Sequence, residues 1–168
     1  MSNTIVEFGK TIEGFPNYEV TNRGRVFNIK TGREMVLSPT LDGDLTVGLT
    51  RDGHQFRYSV KGLVARAFVE GETEIFNCPI LLDGDKRNLV TTNIQWRPRW
   101  FAYRYTQQFH NMHNWYFFGP IVDMGTFREY RNYIETARTH GLLCIDIMES
   151  IYNDKLVFPT HQKFAYVS

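Results

Sequence analysis

The chain has 168 residues, 42% of them hydrophobic, with 19 lysines and arginines against 18 aspartates and glutamates. This composition is typical of a globular chain, and it excludes an intrinsically disordered protein and a disulfide scaffold. The net charge of +1 neither requires nor excludes a nucleic-acid partner, because acidic residues elsewhere can balance a local basic surface.

The two cysteines, Cys78 and Cys144, lie far apart in apolar stretches, which predicts buried and reduced thiols. Two thiols alone cannot form a structural zinc site. The N-terminus lacks the basic and apolar regions of a secretory signal, and no apolar run approaches the ~20 residues of a membrane span. We therefore expect a soluble protein made in a cytoplasm.

Short β-strands separated by turns are predicted over residues 13–60. Apolar residues alternate with other types over 45–49 and again over 56–60, on either side of an Asp52-Gly53 turn. This pattern predicts an antiparallel hairpin. Residues 61–69 then change to a helical spacing of apolar positions. An apolar stub and the turn-rich stretch DGDKRN follow, within 79–96.

The C-terminal half begins with an aromatic-rich stretch over 96–118. A strand over Ile121–Met124 and a helix from about Thr126 are predicted next, followed by a second helix over about 142–152 and an extended tail. Phe127, Tyr130, Ile134 and Ala137 lie on one face of the first predicted helix. We predict four segments: a β-rich module over 1–60, a core over 61–98, an aromatic connector over 99–118 and a two-helix module over 119–168.

Several phrases of the N-terminal half occur together in one family. They are Gly14-Phe15-Pro16, Tyr18-Glu19-Val20, Asn22-Arg23-Gly24-Arg25-Val26, and Leu63-Val64-Ala65 followed by Ala67-Phe68. With these phrases the chain resembles the N-terminal module of phage-type HNH homing endonucleases. The stretch over 81–88 and Asn93-Ile94-Gln95-Trp96 are similar to the family's nuclease segment, NHIDGNK-x-NN…NLEW. The C-terminal half more weakly resembles the helix-turn-helix repeat of intron-encoded nucleases.

The resemblance implies an α+β fold. Its expected parts are N-terminal antiparallel β-hairpins, a degenerate ββα-metal (HNH) core and a C-terminal helix-turn-helix-like module.

The family's catalytic positions hold residues that lack its chemistry. The resemblance places the general base at Leu81, a metal ligand at Ile80 and an earlier histidine at Lys61. Leucine and isoleucine side chains have no lone pair with which to accept a proton or bind a cation. Asp83, Asn88 and Asn93 keep their family positions; we assign Asp83 to holding the turn, and asparagines alone bind a metal weakly. We therefore predict no catalytic residue, no metal, no cofactor and a chain that is not an enzyme.

His110 and His113 have a spacing that can chelate a metal on a helix. No carboxylate or cysteine lies near them in the sequence, so a surface or packing role is favoured.

Basic residues of the hairpins, the short helix and the core segment can contact DNA phosphates. The alternative is that they are solvated surface charges. The candidates are Arg23, Arg25, Lys30, Arg33, Lys61, Arg66, Lys86, Arg87, Arg97, Arg99 and Arg104.

The second C-terminal helix argues against a DNA-recognition role, because it carries Asp146 and Glu149 and is apolar on several sides. The aromatic-rich segment has the residue types of protein interfaces, although stacking on single-stranded nucleic acid and packing onto the core stay open as alternatives. The candidate interface residues are Trp100, Tyr103, Tyr105, Phe109, Trp115 and Tyr116.

Lost catalytic groups and candidate interface aromatics together favour one functional prediction. It is a non-catalytic interaction or structural protein of a bacteriophage, located in the host cytoplasm and assembled into a virion, with other phage proteins as partners. One alternative is a DNA-binding accessory or regulatory protein without nuclease activity. The other is an active HNH endonuclease with atypical ligands.

Overall fold

The fold is taken from a computed structural model that describes residues 6–110, 115 and 118–168. The chain divides into two compact units. The first unit consists of Met1–Leu81 and Asp85–Pro98, and the second of Leu82–Gly84 and Arg99–Ser168. Antiparallel sheets and four α-helices make up the described residues, which confirms the predicted α+β class.

The first unit contains two three-stranded sheets, with strand orders β1-β2-β3 and β4-β5-β6, and a two-stranded ribbon of β7 and β8. All of these strand pairs are antiparallel. The elements are β1 (Gly9–Ile12), β2 (Phe15–Thr21), β3 (Val26–Asn28), β4 (Ser38–Pro39), β5 (Leu45–Arg51), β6 (His54–Ser59), α1 (Val60–Phe68), β7 (Cys78–Leu81) and β8 (Ile94–Arg97).

The hairpin of β5 and β6 confirms the sequence prediction. Asp52 and Gly53 both have positive φ angles, of 53° and 75°, as a tight two-residue hairpin turn requires. Arg51, beside the turn, fastens this hairpin to β2: its guanidinium lies over the rings of Phe15 and Phe56, at 4.9 and 5.2 Å, and donates a hydrogen bond to the carbonyl of Gly14.

Helix α1 begins where the hairpin ends. The Ser59 hydroxyl accepts a hydrogen bond from the backbone N–H of Gly62 and so caps the helix. Leu63 and Val64 turn inward to the first core, where Val47, Leu49 and other strand residues meet them. Burial of each such aliphatic side chain contributes about 1.5–3 kcal/mol, so α1 is held mainly by its packing.

The second unit has its own sheet, with strand order β10-β9-β11, and its own core. Ile121, Tyr133, Leu142, Ile147 and Phe164 are buried together in that core. The elements are α2 (Arg99–Gln108), β9 (Ile121–Asp123), β10 (Glu129–Tyr130), α3 (Tyr133–His140), α4 (Cys144–Asn153) and β11 (Phe164–Tyr166).

Two of the predicted elements of this unit are wrong. Residues 99–108 are not a connector but helix α2, which buries Phe101, Ala102 and Tyr105. The helix predicted from Thr126 begins only at Tyr133, because the backbone of Asp123 hydrogen-bonds the N–H of Phe127 and closes a turn that leads into β10.

Helix α4 begins two residues later than predicted. Gly141, in the left-handed conformation, ends α3, and the N–H of Leu142 bonds back to the carbonyl of Ala137. In α4, Cys144, Ile147 and Ser150 are buried, and burial raises the pKa of the Cys144 thiol to about 12. Neither cysteine forms a disulfide. Within the described part of the chain, no helix has the length and hydrophobicity that crossing a membrane requires.

Candidate nucleic-acid interface

One face of the sheet β4-β5-β6 is polar. Val47 and Leu49 point into the first core, so Thr46, Gly48 and Thr50, which alternate with them, point to the other face. Across the ladder these three residues lie opposite polar residues of β6. The pairs are Thr46 with Ser59, Gly48 with Arg57, and Thr50 with Gln55. We call this surface the outer sheet face.

Neighbouring residues position the two long side chains of the outer sheet face. The Arg57 guanidinium donates to the hydroxyl of Thr46 at 3.2 Å, and that hydroxyl donates to the carbonyl of Ser38 at 2.9 Å. The Gln55 amide occupies the space above Gly48, since a Cβ at position 48 would lie 2.5 Å from Gln55 Nε2. The Arg57 head is thus held against the sheet by a hydrogen bond, and the Gln55 head lies over the sheet at Gly48.

Such a surface suits the major groove of DNA. A β-ribbon fits that groove, where arginine pairs with guanine, glutamine with adenine, and the threonine methyl with the methyl of thymine. Arginine, glutamine and threonine are the types that the outer sheet face presents.

The positions at which the family has its catalytic residues are occupied here by residues with structural contacts. Ile80 and Leu81 lie in β7 with exposures of 2% and 6% and pair with Gln95 and Ile94 of β8. The Asn93 amide donates to the carbonyl of Asn88 at 2.8 Å, which fastens the loop before β8. Asp83 belongs to the second unit.

Two lysines converge on one carboxylate in the first unit. Lys61 Nζ lies 3.5 Å from Asp44 Oδ1, and Lys86 Nζ lies 3.5 Å from Asp44 Oδ2. We call these two residues the lysine pair.

The candidate arginines differ in their availability to a ligand. Arg25 is exposed but bridges Glu7 and Glu34, and its hydrogen bond to Glu34 raises its pKa. Arg66 is paired with Glu72 at 3.7 Å. Arg23, Lys30, Arg33, Arg87, Arg99 and Arg104 are exposed, and the Arg104 guanidinium lies over the ring of Trp100 at 5.7 Å.

Arg97 does not belong in the predicted DNA-binding set. It is only 7% exposed, and its guanidinium donates to the carbonyl of Trp96 and to the side chain of Gln95.

The predicted aromatic interface is corrected as well. Tyr105 is buried, and its hydroxyl donates to the carbonyl of Leu82 at 2.6 Å. Phe109 packs against Tyr105, and Trp115 against Tyr133, inside the second unit. Trp100 and Tyr103 are exposed, with 52% and 69% of their surface accessible. Tyr116 and His113 lie outside the described residues, and His110 is exposed.

Residues 10–50 match the NUMOD4 motif. Over 88 residues the chain is 35% identical to DNA endonuclease I-HmuI of Bacillus phage SP01, a match that covers 52% of this chain and 50% of that protein. The fold superposes with a TM-score of 0.54 on a solved structure described as DNA binding and cleavage by the HNH homing endonuclease I-HmuI. That match has 26% sequence identity and covers 95% of this chain and 98% of the other. The chain is therefore similar in sequence and fold to a phage-type HNH homing endonuclease.

A second relative is an uncharacterized HNH endonuclease, L245, of Acanthamoeba polyphaga mimivirus. It is 32% identical over 82 residues, 49% of this chain and 24% of that protein. By sequence the chain therefore matches half of one curated relative and about a quarter of the other.

These relatives contradict the prediction that the chain is not an enzyme. Both named proteins are endonucleases, and the superposed structure is that of a DNA-cleaving one. The prediction depended on three substituted positions, Lys61, Ile80 and Leu81, and their substitution does not by itself establish loss of activity.

The residues at the family's metal position do not fit a divalent cation in this chain. The side chains of Ile80 and Leu81 offer no ligand atom. Across residues 6–110, 115 and 118–168, no three His, Cys, Asp or Glu side chains lie close enough together to hold a metal ion.

Gln55, Arg57 and Asp44 were not among the site residues predicted from the sequence. The alternation over β5 and β6 contained the signal for the first two, because residues that alternate with core positions must face outward. No local signal marks Asp44, whose role depends on two lysines that are remote in the sequence.

Proposed function

We propose that this protein binds duplex DNA as an HNH homing-endonuclease-type protein, with the outer sheet face in the major groove. The observation that carries this proposal is the superposition on a DNA-binding and DNA-cleaving endonuclease over 95% of this chain. The polar composition of the face and the hydrogen bond that positions Arg57 support it, because a hydrogen-bonding group that is already positioned loses less entropy when it binds.

Selection of DNA from a random pool tests this function. Duplexes with a randomised centre are enriched on the full chain at low salt, and the affinity for the enriched sequence is then measured for Arg57→Ala. We expect the variant to lose roughly 10- to 100-fold in affinity and its preference at one base pair, because a bidentate arginine contact supplies about 1–3 kcal/mol of discrimination.

Arg66→Ala is the matched control, since it removes one exposed arginine of the same unit from helix α1. It should leave the base preference unchanged. The proposal is overturned if the wild-type chain binds no duplex at low salt, and the groove assignment is overturned if Arg57→Ala keeps the full preference.

Phosphodiester cleavage is the second candidate function. The named relatives favour it, because both are endonucleases. Any cleavage must use groups other than the side chains of Ile80 and Leu81, which have no lone pairs. We propose that Asn88 contributes to cleavage, since it keeps the position that the family's nuclease segment gives to an asparagine.

A nicking assay on supercoiled plasmid with Mg²⁺ or Mn²⁺, and with a chelator as blank, tests the cleavage proposal. Asn88→Ala keeps the backbone carbonyl that Asn93 binds, so the loop stays closed, and we expect the nicking rate to fall. A chain that binds DNA but never nicks it would refute cleavage and leave DNA binding standing.

A role among phage proteins is the remaining candidate, within the cytoplasm of an infected host. Of the candidate interface residues that the structure describes, Trp100 and Tyr103 are exposed and support such an interface. Neither named relative is described as a virion component. Native mass measurement of the protein from its source distinguishes DNA binding from a role among phage proteins. We expect a species free of other phage proteins. Co-purification with assembled particles would favour the role among phage proteins instead.

A further inference from the structure

The turn between β4 and β5 gathers the lysine pair around a single carboxylate. The turn over 40–44 is closed by hydrogen bonds between the backbones of Thr40 and Asp44 and between the Thr40 hydroxyl and the Asp44 N–H. This fixes the Asp44 side chain, whose two oxygens each receive one ammonium group.

Each lysine is also held by the protein along its stem or head. The Lys86 ammonium donates to the carbonyl of Asp42, and its stem passes over Gly43, where a Cβ would lie 3.5 Å from Lys86 Cδ. Lys61 projects from the first turn of α1. The side chains of Lys61 and Lys86 keep only 23% and 26% of their accessible surface, which is low for lysine.

The local charge is positive and is not fully neutralised. Two ammonium groups face one carboxylate, and Lys61 stands at the positive end of the helix dipole, in a first turn that carries no acidic residue. A helix start normally favours acidic residues, so Lys61 occupies an unfavourable position that an added anion would relieve. Arg87, exposed and adjacent to Lys86, lines an open cleft of about 560 Å³ together with Lys86 and Asp85.

We propose that the lysine pair is a binding site for one backbone phosphate of the DNA, with Asp44 holding the two ammonium heads at the spacing that such a phosphate bridges. This inference rests on the proposed DNA-binding function. An ammonium has three donor hydrogens, so each lysine can contact Asp44 and still donate to a phosphate oxygen.

Phosphate-ethylation interference on the enriched duplex tests this site. The full chain and the double variant Lys61→Ala/Lys86→Ala are compared phosphate by phosphate. In the wild type, ethylation of every contacted phosphate weakens binding. In the double variant, we expect ethylation at one of these phosphates to have no effect on binding. The slope of log K against log salt should fall in magnitude by about 0.9, as one lost phosphate contact predicts.

Two further double variants test whether the effect comes from the positive charge at positions 61 and 86 or from the loss of any two lysines. Lys61→Arg/Lys86→Arg keeps both positive charges and should keep the interference position. Lys155→Ala/Lys163→Ala removes two lysines that are likewise ion-paired, to Glu149 and Asp154, and should leave the interference pattern unchanged. Circular dichroism checks that each variant is folded, and Lys86→Gln serves as a milder single change if the double variant is not.

The outcomes separate this inference from the function on which it rests. If the wild-type chain binds DNA and the double variant shows the same interference pattern, the lysine pair is not a phosphate site, although DNA binding stands. If the wild-type chain binds no DNA, the proposed function itself fails.

Discussion

Gly24 combines a left-handed backbone with a close contact to a core side chain. Its φ angle is +83°, a region that residues with a Cβ rarely adopt, and a Cβ there would lie 2.4 Å from Leu89 Cβ. Gly32 has a similar φ of +67°, but nothing lies within 4 Å of the Cβ it would gain. The two positions therefore separate backbone strain from packing.

We expect Gly32→Ala to lower the free energy of unfolding by about 1 kcal/mol, through backbone strain alone. Gly24→Ala should lower it by a further 1–3 kcal/mol or so, because Leu89 must move out of the first core. Urea denaturation of both variants measures the difference. Equal losses would show that Leu89 adjusts without cost.

His140 is a neutral histidine in a hydrogen-bonded chain of the second unit. Its Nε2 lies 2.6 Å from the Tyr130 hydroxyl, and its Nδ1 faces the amide nitrogen of Gln162, which donates to Asp123. Because an amide nitrogen only donates, Nδ1 carries no proton in this arrangement. Burial lowers the pKa of His140, against the raising effect of Asp123.

This lowered pKa makes stability depend on pH. Between the lowered pKa and the ordinary value of 6.5, the unfolded chain binds a proton that the folded protein does not. The contribution of His140 is therefore complete above about pH 6.5 and is lost as the pH falls below it. We expect the free energy of unfolding, measured by urea titration, to fall between pH 7 and pH 5 more steeply in the wild type than in His140→Gln.

The exposed His54 provides the control, and His54→Gln should keep the wild-type slope. Asp123 affects the pH dependence of stability in a different pH range. Burial tends to raise its pKa, but hydrogen bonds from Gly125, Gln162 and Thr126 outweigh burial and hold the pKa below 3.8. Its contribution is lost only as the pH falls below that value.

Elements set by local signals were predictable from the sequence, and elements set by pairing were not. The β5-β6 hairpin and α1 follow from a two-residue turn and a serine cap, and both lie within a residue or two of their predicted bounds. Phe127 and Tyr130 had helical spacing with Ile134, yet Tyr130 pairs with Ile121 in the sheet. Pairing with a neighbouring strand can outweigh a helical spacing of apolar residues, and the local sequence does not show which strand will pair.

The aromatic content of 99–108 concealed a helix. Phe101 and Tyr105 are four residues apart and stack on one buried face, with ring centroids 6.2 Å apart. That spacing was present in the sequence, but the high density of aromatic residues favoured the prediction of an exposed protein interface. Packing of this kind is a property of the folded unit, so residue type alone misassigned Tyr105.

Helix α3 offers a test of capping at the scale of one element. The Asn132 side chain accepts a hydrogen bond from the N–H of Glu135, and the Glu135 carboxylate accepts one from the N–H of Arg131. We expect Asn132→Ala to lower the free energy of unfolding by about 0.5–2 kcal/mol and Asn132→Ser by much less, since serine also caps. Chemical denaturation compares them, and an equal loss in both variants would exclude capping as the cause.

At the scale of the whole molecule, a charge of +1 limits how the chain can hold DNA. Arg25, Arg66, Lys155 and Lys163 already pair with carboxylates, so these four can contact phosphates only by giving up those partners. The position of the basic residues decides binding more than their number. The sequence identified the basic residues but not the convergence of Lys61 and Lys86 on Asp44, because that contact joins a turn, a helix and a loop.

We expect a shallow salt dependence of DNA affinity for this reason. With about four phosphates neutralised, log K should fall with log salt at a slope of about −4, so that affinity drops roughly 200-fold between 50 and 200 mM salt. Fluorescence anisotropy across this range measures the slope. A slope near −10 would mean that the ion-paired residues exchange their carboxylates for phosphates.

The Gln55 amide above Gly48 has a consequence for how this surface can evolve. A Cβ at position 48 would lie 2.5 Å from Gln55 Nε2, so a larger residue there pushes the flexible Gln55 head off the sheet and couples the two positions. A smaller residue at position 55 makes no such collision with Gly48. Directed evolution toward a new target sequence should therefore change position 55 first and position 48 second.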